Sequence, residues 1–141
     1  MTEAPPQDAY RDRLALALDV DDLVEAMRLA RSLRPYFGVA KVGLELFSAS
    51  GPEVIGTLTD LGKRVFLDLK LHDIPNTVAG AVRSAREFAV DYLTIHSAGG
   101  PAMIAAAAEA AEGRVALLAV TVLTHLDEPT LERLDLPGGS S

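Results

Sequence analysis

The chain has 141 residues, a length that suits one domain and is short for two. Apolar residues make up 49% and charged residues 23%, with 13 Lys+Arg against 20 Asp+Glu for a net charge of -7. This balance excludes a disordered chain and leaves no basic patch to neutralise a nucleic-acid backbone, so no nucleic-acid partner is expected. The chain has no cysteine, which excludes a disulfide scaffold and a zinc–thiolate site. No apolar run approaches the roughly 20 residues that cross a bilayer, so no membrane association is expected. Residues 1–10 read as a polar tail without the basic start and apolar stretch of a secretion signal. A cytoplasmic enzyme or binding domain over residues 11–141 is the expectation.

Apolar runs of strand length alternate with segments of helical period. The first run is Leu14–Asp19. Asp22, with Glu25 three residues on, reads as a capping box ahead of Leu23, Ala26, Met27, Ala30 and Leu33 at helical spacing, and Pro35 stops that helix. The second run is Val39–Gly43. A loop follows, and Gly51-Pro52 opens a helix with Val54, Ile55, Leu58 and Leu61 on its apolar face and Gly62 at its end. The third run is Arg64–Lys70. Pro75 starts a helix with Val78, Ala81, Val82, Ala85, Phe88 and Ala89 on one face. The fourth run is Tyr92–His96. Gly99-Gly100-Pro101 leads into a helix with a narrow face of Met103, Ile104, Ala107, Ala108 and Ala111. The fifth run is Val115–Leu123. A polar loop, a short apolar stretch (Leu131, Leu134, Leu136) and Pro137–Ser141 close the sequence.

Strand–helix alternation predicts an α/β fold with a parallel sheet. An open doubly wound sheet and a (β/α)8 barrel both fit. A whole barrel takes roughly 250 residues. About five strands and four helices are legible here, so length favours the open sheet or else an incomplete barrel.

The polar residues of the runs collect at their C-terminal ends, which form the ligand face of parallel α/β folds. Asp19, Lys41, Asp68 with Lys70, His96 and Thr124 would converge on one rim. Alternation places Asp68 and Lys70 on one face with Phe66, and Val65, Leu67 and Leu69 on the other. Single charges of this kind are as often solvated strand ends or plain ion pairs. A whole set at one rim points to a site, because buried unpaired charges are expensive. The stretch Asp68-Leu69-Lys70-Leu71-His72-Asp73 sets two carboxylates around one ammonium, with Lys41 a fourth charge from the next strand. Such a network titrates as a unit and keeps each member ionised. A lysine held by carboxylates stays protonated, so it serves as a cation and proton donor rather than a Schiff-base nucleophile. His72, His96 and His125 lack the close spacing of a metal site, so no metal is expected. There is no Walker A loop and no GxGxxG. Ser97-Ala98-Gly99-Gly100 suits an anion before a helix and suits a plain turn equally well.

Asp68-Leu69-Lys70-Leu71-His72-Asp73-Ile74-Pro75-Asn76-Thr77 closely resembles the active-site signature of the bacterial orotidine 5′-phosphate decarboxylases. Leu16–Asp19, Lys41-Val42-Gly43, Thr94-Ile95-His96 and Val120–Thr124 agree with that family in order, so the resemblance runs from about Leu14 to the end. It implies a (β/α)8 (TIM) barrel, a homodimer, and decarboxylation of orotidine 5′-monophosphate to UMP, the last step of de novo pyrimidine synthesis, with no metal or organic cofactor. By position, Asp19 would hold the ribose hydroxyls and Lys41 would sit at the ribose within the charge network. Asp68 would lie beside the departing carboxylate, and Lys70 would stabilise and protonate the C6 carbanion. Asp73 and Thr77 would reach into the partner's site, and Thr124 would approach the pyrimidine.

Against the family pattern, the last three strands are missing, and with them the phosphate grip of a loop glutamine and a glycine and arginine near the final strand. A split gene, a shortened product or a fragment would each account for this. Two other readings stand beside the first. A magnesium-dependent sugar-phosphate decarboxylase or synthase of the same superfamily shares D-x-K-x-x-D, although Ile74–Thr77 argues against it. A non-catalytic half-barrel would assemble with a complementary piece or with itself, because an open sheet exposes apolar edges.

Overall fold

The structure is a computed structural model that describes residues 7–135. Five strands carry the fold: β1 (Ala15–Ala17), β2 (Val39–Gly43), β3 (Arg64–Leu71), β4 (Tyr92–His96) and β5 (Ala116–Val120). Their helices are α1 (Gln7–Arg11), α2 (Leu23–Ser32), α3 (Leu44–Ser50), α4 (Glu53–Asp60), α5 (Pro75–Glu87), α6 (Gly100–Ala111) and α7 (Glu128–Arg133). Short 3-10 turns cover Arg34–Tyr36 and Ser97–Gly99.

All pairings are parallel, and the spatial order β1-β2-β3-β4-β5 follows the chain order. A doubly wound sheet reverses its strand order at a switch point, whereas a (β/α)8 barrel adds each strand beside the last. The observed order is that of one side of a barrel. Among the described residues β1 and β5 each pair on one side only, so the sheet is open and the barrel partial.

Strand register separates two faces. Leu18, Ala40, Val42, Val65, Leu67, Leu93 and Ile95 lie under the helices at no more than 1% exposure. They meet Ala26, Met27 and Ala30 of α2, Val54, Ile55 and Leu58 of α4, Val78 and Val82 of α5, and Met103 and Ala107 of α6 in one core. Cutting Leu67 back to Ala in such packing costs about 2–5 kcal/mol. The other face carries Lys41, Phe66, Asp68, Tyr92, Thr94 and His96, as strand alternation and register require.

Local chemistry explains most boundaries. The Asp22 carboxylate accepts from the Glu25 N–H at 2.8 Å and caps α2. The Glu25 carboxylate lies beside Arg28 at 3.5 Å, so one half of the predicted capping box forms. Pro75 opens α5 at its first position. Gly62, at φ +77°, turns the chain out of α4 in a conformation that side-chain-bearing residues disfavour.

Three expectations need correction, and the N-terminal segment gains one detail. The segment after β2, expected as a loop, forms α3, which begins at Gly43 with no side-chain cap. A seven-residue helix with only Leu46 fully buried leaves little periodicity to read. The end of the predicted polar tail forms α1. Pro35 falls inside a 3-10 turn, and Leu33 caps α2 at 37% exposure instead of packing on its buried face. Phe88, at 39% exposure, and Ala89, at φ +56°, lie past the end of α5, off the apolar face assigned to them. Leu136, residues 137–141 and residues 1–6 lie outside the described residues.

Candidate active site

The C-terminal ends of β1, β2, β3 and β4 surround a cavity of about 430 Å³. Asp19, Lys41, Asp68, Lys70, His72 and His96 line it, with Glu45 of α3 and apolar walls from Leu18, Leu44, Leu46, Leu69 and Leu123. Five of the six groups expected to converge are there. The sixth, Thr124, sits exposed in the turn after β5, and its neighbour Leu123 meets the cavity instead.

Two ion pairs stand on neighbouring strands. Lys41 Nζ lies 3.3 Å from Asp19 Oδ1, where the lysine is mostly covered and the aspartate mostly open. Lys70 Nζ donates to both Asp68 oxygens at 2.9 Å. Asp68 is 14% exposed and Lys70 42% exposed, so the carboxylate is the sheltered partner and the ammonium faces the cavity. Gly43 pairs in register with Asp68, which sets the Lys41 strand end beside this pair.

The second pair rests on an irregularity. Leu67 pairs with Leu93 and Leu71 with Ile95, so four steps along β3 match two along β4. The surplus is absorbed by a bulge with Lys70 at φ +48°, in the left-handed region that costs a side-chain-bearing residue energy. The Lys70 N–H leaves the ladder and donates to Thr94 Oγ1 at 2.8 Å. The Thr94 hydroxyl in turn donates to Asp68 Oδ1 at 2.8 Å. Asp68 and Lys70 therefore do meet on one side, through a bulge rather than a regular strand.

Burial works to raise the Asp68 carboxyl. Hydrogen bonds from Lys70 and Thr94 and the charges of Lys70 and Lys41 outweigh it, and the group lies below the ordinary aspartate range. The predicted pair of carboxylates around Lys70 is not what the chain forms. Asp68 holds the ammonium, while the Asp73 carboxylate accepts from the Ile74 N–H at 2.6 Å at the start of α5. Asp73 and Thr77 line an adjoining depression of about 300 Å³ that also touches Lys70 and His72. His72 stacks on His96 with ring centroids 5.1 Å apart. His96 Nδ1 accepts from the Ala98 N–H at 3.1 Å, which leaves Nε2 as the donor of the neutral ring. Among the described residues, no group of three or more His, Asp or Glu side chains is arranged to hold a metal ion.

Sequence reasoning missed Thr94 as a site residue. A threonine inside Tyr92–His96 is what strand propensity favours anyway, so nothing flagged its hydroxyl. Glu45 was missed with α3.

Alternating carboxylates and ammoniums around one cavity at the C-terminal strand ends define a barrel-type protein with a charged ligand site. Comparison with known proteins makes the class specific. Residues 12–137 match the model of the family described as "Orotidine 5'-phosphate decarboxylase / HUMPS family". A protein of Anaeromyxobacter sp. (strain K) named orotidine 5'-phosphate decarboxylase is 50% identical over 127 residues, covering 90% of this chain and 56% of the relative. One of the same name from Moorella thermoacetica is 48% identical over 129 residues, covering 86% and 51%. The crystal structure of orotidine 5'-phosphate decarboxylase from Lactobacillus acidophilus superimposes with a TM-score of 0.78 at 34% identity, covering 89% of this chain and 59% of that one. An uncharacterized conserved protein from Geobacillus kaustophilus gives 0.77 at 40% identity, covering 84% and 58%.

The chain belongs to the orotidine 5′-phosphate decarboxylase / HUMPS family. It spans about half the length of the curated relatives it matches. No helix among the described residues is long and apolar enough to cross a membrane.

Proposed function

We propose that the chain is the N-terminal part of an orotidine 5′-phosphate decarboxylase, acting in the cytoplasm on orotidine 5′-monophosphate in pyrimidine synthesis. The observation that carries the reading is the Lys70 ammonium, bridged to both oxygens of a sheltered Asp68 and facing an open cavity. The names of relatives near 50% identity support it.

In this reading the bond from C6 to the carboxylate breaks and its electron pair stays on C6 as carbon dioxide leaves. The carbanion lies in the ring plane, where resonance gives little relief. A preorganised ammonium at C6 is the stabilisation such a charge requires. Lys70 then gives a proton to C6, forming UMP, and regains one from water. Asp68 keeps Lys70 charged and sits beside the departing carboxylate. Asp19 binds the ribose hydroxyls with Lys41 next to it, and Thr124 approaches the pyrimidine. Asp73 and Thr77 serve the partner's site in a homodimer, which accords with Asp73 being exposed and not bonded to Lys70 of its own chain. No metal or organic cofactor takes part. Phosphate binding belongs to the part of the relatives' length beyond this chain, and remote binding of that kind lowers the barrier at the reacting carbon.

The competing reading is a magnesium-dependent sugar-phosphate decarboxylase or synthase, which shares the D-x-K-x-x-D pattern of Asp68, Lys70 and Asp73. One assay separates them. The protein at the full length of its relatives is given orotidine 5′-monophosphate, and pyrimidine absorbance is followed with EDTA and with magnesium. The expected result is turnover that EDTA leaves unchanged. Turnover of sugar phosphates only, lost on chelation and restored by magnesium, would assign the chain to the competitor.

A further inference from the structure

Thr94 is 4% exposed and one of two buried polar residues among those described, the other being Lys63. Its hydroxyl has one proton, and that proton goes to Asp68 Oδ1 at 2.8 Å. Its oxygen accepts the Lys70 N–H at 2.8 Å, at the residue where β3 bulges and φ is +48°. Both directions are fixed, because a backbone N–H only donates and an ionised carboxylate only accepts. One hydroxyl thus touches the carboxylate of the pair and the backbone of its ammonium-bearing partner.

We propose that Thr94 is the positioning residue of the Asp68–Lys70 pair, holding the Lys70 backbone in its bulge and the Asp68 carboxylate in line with the ammonium. This rests on the reading of Lys70 as the group that acts at the substrate. A regular β3 would pair the Lys70 N–H with the neighbouring strand. The left-handed turn gives up that bond, and the threonine oxygen replaces it. Without the hydroxyl, a sheltered N–H and a sheltered carboxylate oxygen each lose a partner, and the strained bulge loses its anchor. The threonine methyl group does neither job, so valine, which matches the shape, should fail where serine succeeds.

The test uses the protein at the full length of its relatives, with Thr94→Val, Thr94→Ser and the parent compared on orotidine 5′-monophosphate. Thr94→Val should lower kcat about tenfold or more with KM little changed, since one hydrogen bond to a charged group is at stake. Thr94→Ser should restore most of it. A second readout is the Asp68 carboxyl followed by carbon NMR. The charged groups facing it are Lys70 on its own strand and Lys41 on β2, while Asp19, Glu45, His72 and His96 line the same cavity. Thr94→Val should move its titration upward, because a donor to the charged form is removed, and Thr94→Ser should leave it in place. If Thr94→Val does not fold, Thr94→Ala against Thr94→Ser makes the same comparison. Parent-like kcat and an unmoved Asp68 titration in Thr94→Val would overturn the inference, as would a Thr94→Ser variant as damaged as Thr94→Val. A parent that does not turn over orotidine 5′-monophosphate would overturn the functional reading instead, and the Asp68 titration would still judge Thr94.

Discussion

Two lysines stand at opposite ends of β3, and they are held in opposite ways. Lys63, just before the strand, is 7% exposed. Its ammonium donates to the carbonyls of Arg34 and Phe37 and lies 4.3 Å from the Phe37 ring centroid. Burial, then the charges of Arg11 and Arg34, push its pKa below the usual lysine range against the opposing pull of Asp12. Lys70, at the far end, is bonded to a single carboxylate and is 42% exposed toward a cavity. The first ammonium is enclosed by backbone and ring and ties the foot of β3 to the turn after α2. The second keeps a face free for a ligand. Depth of burial singles out Lys63, whereas an open face beside a fixed opposite charge singles out Lys70, the lysine of the proposed function.

The largest effect expected from this contrast concerns completeness. The surroundings of Lys63 lie within the chain, whereas the Lys70 cavity is walled by an open sheet. The 141 residues alone should therefore be a poor catalyst in both kcat and KM, because the strands that would close the barrel also bind phosphate in the proposed function. Adding a fragment with the remaining strands should restore turnover by orders of magnitude. Full activity without it would mean that the phosphate grip is dispensable.

The next effect is on stability. Lys63→Met leaves the carbonyls of Arg34 and Phe37 without their donor, for a loss of about 1–3 kcal/mol in denaturant unfolding. In the protein at the full length of its relatives kcat should be nearly unchanged. A large fall in kcat with stability intact would reverse the roles of the two lysines.

The smallest effect is a pH dependence. The Asp68 carboxyl lies below its ordinary value in the folded state, so its contribution to stability is present above the unfolded value, about 3.9. It is lost as pH falls through the lower folded value. Stability measured from pH 6 to pH 3 should drop on the acid side, and Asp68→Asn should flatten that part of the curve. A profile unchanged by Asp68→Asn would show that the pair does not couple to folding.

Much of this was legible in the residues. The runs Val39–Gly43 and Tyr92–His96 coincide with β2 and β4, and Pro75 begins α5, because buried parallel strands and helix-opening prolines leave strong local patterns. The convergence of Asp19, Lys41, Asp68, Lys70 and His96 followed from their places at strand ends. What escaped depends on tertiary packing. The bulge at Lys70 carries no glycine or asparagine to announce a positive φ, and the partner of its N–H, the Thr94 hydroxyl, lies on another strand. Asp73 stands close in sequence to Lys70, yet the turn into α5 leads its carboxylate to the Ile74 N–H. The D-x-K-x-x-D spacing records neither event.

In the proposed function Lys70 is the group that acts on the substrate. The most direct test of this role is Lys70→Ala in the protein at the full length of its relatives, assayed for decarboxylation of orotidine 5′-monophosphate alongside its unfolding midpoint. Removing one strong electrostatic contact already costs about 10²–10³ in rate, and loss of the proton donor adds to that. The expected kcat is lower by at least this factor, with an unfolding midpoint close to the parent's, if Lys70 acts on the substrate. A variant that folds and turns over at nearly the parental rate would contradict that role.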